Sequence, residues 1–294
     1  MNDPLLIVLC PLRSFSSVVA AMLGQHPEMY GVPELNLFLK ENVGEMLDMH
    51  DRVRAAGIMG LLRTLAQLHE EEQTEKSVQR ARAWLDARRH LTTKEVMDHL
   101  MELISPRILV DKSPRTVMKA ETLQRVHRLY PAANYLHLTR HPRSMGNSLL
   151  NMAGQYSDWG GRFDIKRLDP ERFWFGGHQN IVDFTERLPW GQVMRIKGEA
   201  LLGAPDVYLP QIAEWLGLRT DREAIEAMKR PEQSPYASLG PKGAEYGNDP
   251  NFLANPSLRE GKPTEPRLGG PLEWAKEREF DHATLKLAKQ FGYG

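Results

Sequence analysis

Two short stretches of this chain combine arginine and serine in places where an anion would be held. The first is Pro11-Leu12-Arg13-Ser14-Phe15-Ser16-Ser17, lying between an apolar run and a helical pattern. A turn that opens a helix presents unpaired backbone N–H groups and the positive end of the helix dipole, which together suit a phosphate. Arg13 adds a fixed charge, and Ser14, Ser16 and Ser17 add hydroxyl donors. The same serines would also serve as helix caps. The second stretch, residues 140–148, again follows an apolar run and starts a helix, with Arg140 at its mouth and Ser148 two turns in. Two such sites in one sheet point to a ligand with two separated anionic groups. The pattern Gly-x-x-x-x-Gly-Lys-Ser/Thr of nucleotide kinases is absent, so metal-bound phosphate chemistry is not implied.

The elements that must carry these residues follow a repeated order of apolar strand, polar turn and helix. Residues 4–10, 107–110, 134–138 and 192–196 read as buried strands, and helical patterns follow at 18–23, 118–129, from 144, and at 208–216. Alternation of this kind predicts a parallel sheet covered on both faces, with ligands beyond the carboxyl ends of its strands. Residues 41–105 have helical periodicity and read as a helical insertion. Residues 240–270, rich in Gly, Pro and Asn, read as a long loop without helix or strand, a candidate lid.

The 294 residues predict one domain spanning 1–294, with 38 basic and 38 acidic side chains and no net charge. That balance argues against a nucleic-acid or membrane-surface partner, so any anion site must be local. The single cysteine, Cys10, excludes an intrachain disulfide, and no Cys/His cluster has metal-site spacing. A reducing, cytoplasmic location is expected.

Residues 11–17 resemble the 5′-phosphosulfate loop of sulfotransferases, although Phe15 stands where many relatives carry glycine. The Arg140 to Ser148 spacing resembles the family's 3′-phosphate motif. Asp111-Lys112-Ser113-Pro114 is similar to its Asp/Glu-Lys-Ser/Thr-Pro element, and residues 257–262 look like its late nucleotide loop. With Gly31-Val32-Pro33-Glu34-Leu35-Asn36, the chain is similar to sulfotransferase domains of bacterial olefin-forming polyketide synthases. Those domains sulfate the β-hydroxyl of an acyl chain held on a carrier protein.

The resemblance implies an α/β, P-loop-like sulfotransferase fold with the insertion and a C-terminal lid. It implies transfer from 3′-phosphoadenosine 5′-phosphosulfate, without a metal, to a hydroxyl of a small or acyl-carrier-protein-bound acceptor. The nucleotide contacts it implies are Arg13, Ser14, Phe15, Ser16, Ser17, Arg140, Ser148, Arg259, Gly261 and Lys262. Arg13 and Lys112 would be the cations around the transferred group. Glu34 would be the base, with a helix-capping role as its plain alternative, and His178 is a second candidate. Trp159, Arg162, Phe163 and Trp174 would touch the acceptor or fill core. The rival readings are a kinase-like phosphotransferase and a non-catalytic nucleotide- or carrier-binding protein.

Overall fold

Alternation along the first strand decides how the molecule is layered. In β1 (Leu5–Leu9) every residue is buried, and Leu5, Ile7 and Leu9 pack with one apolar cluster while Leu6, Val8 and the following Cys10 pack with another. Successive side chains of a strand face opposite sides, so a strand apolar at every position belongs in the middle of a sheet covered on both faces. The computed structural model, which describes residues 4–53, 56–155, 168–259, 261 and 263–294, places it there. With β2 (Met29–Gly31), β3 (Ile108–Asp111), β4 (Asn134–Thr139) and β5 (Val193–Lys197), it forms an all-parallel sheet in the order β2-β3-β1-β4-β5.

Helix α1 (Ser16–Leu23) follows β1. The expected insertion consists of α2 (Val43–Val53), α3 (Met59–Glu70), α4 (Glu75–Asp86) and α5 (Thr93–Ile104). Thr74 with Ser77 and Thr92 with Glu95 form capping boxes that start α4 and α5. The insertion supplies much of the cluster against Leu5, Ile7 and Leu9. After β3 come α6 (Ala120–Leu129), then α7 (Pro142–Gln155) behind β4 and α8 (Pro170–Thr185). Then α9 (Gly198–Gly203), α10 (Pro205–Trp215) and α11 (Arg222–Met228) follow β5. A third cluster joins α7, α8 and α13 (His282–Gln290) to the C-terminal Phe291 and Tyr293. Among the described residues no helix is long and apolar enough to cross a membrane.

Two local expectations change. Strand β2 was not foreseen: three residues at a sheet edge, paired only to β3, are too few for a periodic signal. The 240–270 segment is not all loop, because Pro250–Ala254 forms a short helix, α12, capped by Asp249. Phe252 and Leu253 of α12 bury themselves beside Ala21 of α1 and Ala237, which docks the segment on the carboxyl edge of the sheet.

Candidate functional site

The order of the sheet creates a switch point at β1. The chain passes from β3 on one side of β1 to β4 on the other, so the loops after all three strands open onto one crevice. In the loop after β1, Arg13 (φ 66°) and Phe15 (φ 65°) are both left-handed, and α1 starts without any side-chain cap. The capping role considered for Ser16 and Ser17 is therefore not what these serines do. The uncapped first turn leaves its N–H groups directed at a would-be anion. Ser17 Oγ instead accepts from Asp249 N–H at 2.9 Å and from Lys112 Nζ at 3.0 Å.

The loop after β4 interlocks with this one. Arg140 Nη1 donates to Arg13 C=O at 2.6 Å, and its guanidinium lies 4.2 Å above the Phe15 ring. The same ring presses on Gly198, where a Cβ would come within 2.5 Å of Phe15 Cδ2. Phe15 thus serves as the floor on which Arg140 is stacked. Burial lowers the Arg140 pKa to about 10, which still leaves it charged. Arg13 Nε donates to Ser148 Oγ at 3.0 Å, and Arg13 Nη1 is ion-paired with Asp249 from the far segment.

Arg13, Phe15, Ser17, Arg140, Ser148, Arg259 and Gly261 line one cavity of about 440 Å³. That volume lies in the range of small-ligand sites. Ser144 and Leu258, inside the two stretches 140–148 and 257–262 but not named there as contacts, also face it, as do Asn251 and Phe252. The only signal for Asn251 and Phe252 was their place in the Gly/Pro/Asn-rich segment. Ser14 and Ser16 do not line the cavity, and both are buried. Lys262 lies outside the described residues, as do Trp159, Arg162 and Phe163.

Behind Ser17 sits a second group of charges. Lys112, at the end of β3, is fully buried, and its Nζ reaches Ser17 Oγ, Glu34 Oε1 at 3.2 Å and Gly247 C=O at 3.4 Å. A buried ammonium needs such partners, and Glu34 supplies the charge. Among the described residues Glu34 caps no helix; the short turn that follows it starts at Asn36. Its side chain keeps a quarter of its surface exposed, and its backbone N–H donates to Gly247 C=O at 2.9 Å. Gly247 (φ 115°) lies so close to α3 that a Cβ there would sit 2.6 Å from Gly60 Cα, so only glycine lets the segment close over Glu34.

The Glu34 segment is fastened from below. Asp111 Oδ1 accepts from Ser113 Oγ at 3.0 Å, and Ser113 Oγ accepts from Asn36 N–H at 3.0 Å. Burial pushes the Asp111 carboxyl up from 3.8 to about 7, against the pull of its Ser113 and Leu35 hydrogen bonds and of Lys112. The folded chain therefore holds this proton more tightly than the unfolded one. Its stabilising contribution is full below about pH 4 and is lost as the pH rises through about 7. Asp111→Asn keeps an acceptor oxygen and cannot ionise. Denaturant midpoints measured from about pH 4 to 8 are expected to fall less in this variant than in the wild type. Parallel curves would exclude the assignment.

The structure does not bring His178 or Trp174 to the cavity. His178 is fully buried, its Nδ1 lies 2.9 Å from His137 Nε2, and desolvation lowers its pKa to about 3. Its position is structural, because apolar neighbours in α8 and at Phe291 close around it. Trp174, read as an acceptor contact or as core, is fully buried, and its indole N–H is used on the Arg140 carbonyl. His137 is buried within β4, and the buried His141 follows Arg140, its backbone N–H donating to Glu199 Oε1 at 2.8 Å.

A doubly wound α/β sheet with two arginine-bearing loops around one cleft at its switch point is the class this molecule falls in. Residues 4–222 match the sequence model of the Sulfotransferase family, and the chain belongs to that family. No curated protein matches it. Among solved structures it resembles the sulfotransferase domain from the curacin biosynthetic pathway (24% identity, TM-score 0.78, covering 100% of this chain and 99% of that one). It also resembles the sulfotransferase domain from the Synechococcus PCC 7002 olefin synthase (25% identity, TM-score 0.73, covering 99% and 94%). A Mycobacterium avium sulfotransferase shares the fold more distantly (13% identity, TM-score 0.54, covering 99% and 76%).

Proposed function

We propose that this chain transfers a sulfuryl group from 3′-phosphoadenosine 5′-phosphosulfate to a hydroxyl of a small or carrier-bound acceptor. The observation that carries the reading is that Arg13 and Arg140 share one cavity whose wall residue Ser17 is bonded to the Lys112–Glu34 pair. The cavity also fits a doubly anionic ligand in detail. Arg140 Nε is buried without a hydrogen-bond partner among the described residues, and the first turn of α1 is uncapped.

In this reading the α1 turn and Arg13 hold the 5′ end, and Arg140 with Ser148 holds the 3′-phosphate. The acceptor oxygen attacks sulfur in line, the bond from sulfur to the 5′-phosphate oxygen breaks, and the bisphosphorylated adenosine leaves. The proton of the acceptor passes to Glu34, whose exposed part faces outward while Lys112 holds Oε1. Arg13, with Lys112 one hydroxyl behind it, offsets charge developing on the leaving and equatorial oxygens. The resemblance of residues 11–17 and 31–36 to sulfotransferase domains of olefin-forming polyketide synthases supports a β-hydroxyacyl chain on a carrier protein as the acceptor class, and the shared fold with the curacin-pathway and olefin-synthase domains is consistent with it.

Radiolabelled donor offered with β-hydroxyacyl carrier protein, free alcohols and phenols tests the reading directly. Labelled product from at least one class is expected, and silence with every class would end it. The desulfated donor product is expected to bind at least tenfold more tightly than ATP in calorimetry. Arg140→Ala is expected to weaken that binding by about 10- to 100-fold, the worth of a charge-assisted hydrogen-bond pair to phosphate. An unchanged affinity would remove Arg140 from the site.

A further inference from the structure

One peptide unit of the molecule is gripped at both of its polar atoms by side chains from different elements. It is the unit joining Arg140 to His141. Its carbonyl accepts from Trp174 Nε1 at 2.7 Å, and its N–H donates to Glu199 Oε1 at 2.8 Å. Glu199 Oε2 in turn accepts from the Tyr293 hydroxyl at 3.0 Å, and that hydroxyl lies 3.0 Å from Thr139 Oγ1. Trp174 and Glu199 are fully buried, and Tyr293 nearly so.

A buried indole N–H and a buried carboxylate must each find a partner, and here both have been directed to the same peptide. The consequence falls on Arg140. Its backbone is fixed from α8 on one side and α9 on the other, its guanidinium is stacked on Phe15, and Nη1 is tied to the Arg13 carbonyl. A side chain held at both ends has few conformations left, so its charge meets a ligand at one point without ordering cost.

Resting on the reading of Arg140 as the 3′-phosphate contact, we propose that Trp174 and Glu199 are positioning residues that set selectivity for a 3′-phosphorylated nucleotide. Neither touches the ligand. Trp174, Glu199 and Tyr293 form a chain that transmits the packing of α8, α9 and the C-terminal segment to the angle at which Arg140 enters the cavity.

The test compares 3′-phosphoadenosine 5′-phosphate with adenosine 5′-phosphate, by calorimetry on the full chain. The wild type is expected to prefer the former. Trp174→Phe keeps an aromatic ring and removes the N–H, and is expected to cut the preference by about tenfold while leaving the affinity for adenosine 5′-phosphate within about twofold. Tyr293→Phe, which only frees Glu199 from its brace, is expected to cut it by about threefold. These are the fold-changes that loss of one buried hydrogen bond produces directly or through a neighbour.

A purely structural role would weaken both nucleotides alike, or neither, and either result overturns the inference. Should Trp174→Phe fail to fold, Tyr293→Phe decides alone, and a preference equal to wild type in that variant is a refutation. Equal binding of the two nucleotides by the wild type would remove the reading of Arg140 and this inference with it, whereas a wild-type preference that survives both substitutions removes only the inference.

Discussion

Glu34→Gln is expected to lower the turnover number for sulfuryl transfer by about 10²- to 10⁴-fold at saturating acceptor, the range over which general bases contribute. The substitution is conservative where it needs to be. A glutamine Oε1 still accepts from Lys112 Nζ, now at 3.2 Å from Glu34 Oε1, and the backbone N–H of residue 34 still reaches the Gly247 carbonyl. What is lost is the capacity to take a proton, together with the negative charge that faces the buried Lys112 ammonium, a loss that denaturant midpoints of the variant register separately. Affinity for the desulfated donor product should stay within about threefold of wild type, since Glu34 does not line the cavity shared by Arg13 and Arg140. Steady-state kinetics with the labelled donor, alongside calorimetry, separates the two effects. Transfer that persists at full rate in Glu34→Gln would mean that another group accepts the proton.

The second large effect is expected at Arg13. Its guanidinium is nearly buried, held by Ser148 through Nε and by Asp249 through Nη1, in the loop that turns beyond β1. Arg13→Ala removes the cation of the loop that leads into the uncapped turn of α1 and leaves the Asp249 carboxylate without this partner. Loss of a preorganised charge next to a reacting centre costs about 10²- to 10³-fold, so kcat/KM for the donor is expected to fall by that amount. Arg13→Lys should recover part of this loss. Lysine returns the positive charge but not the forked geometry that serves Ser148 and an anion together. An Arg13→Ala enzyme within tenfold of wild type would show that this arginine is a structural partner of Asp249 and Ser148 alone.

Much of this architecture could be read without coordinates because it is locally encoded. A central parallel strand must be apolar on both faces, so residues 5–9 announce β1 by themselves, and the arginine and serines that follow it are bound to lie at its carboxyl end. The same holds for β3 with Lys112 and for β4 with Arg140. Strand β2 has no such signature, because its three residues owe their conformation to β3. The docked helix α12 was hidden for a similar reason. Phe252 and Leu253 look isolated in a Gly- and Pro-rich stretch until α1 is brought against them.

From sequence alone, then, came the class of fold, the two arginine-bearing turns and the candidate base. Tertiary structure alone decided who meets whom. Lys112 pairs with Glu34 across 78 positions and Arg13 with Asp249 across 236, because the order of strands in the sheet does not follow their order in the chain. It also decided between the two readings of Trp174, placing it in the core with its N–H on the carbonyl of Arg140, and it put His178 in the core. An aromatic or a histidine on a helix carries no local mark of which side will be covered. That is determined by the packing of α8 on α13 and on the C-terminal Phe291 and Tyr293, contacts that exist only after the chain has closed on itself.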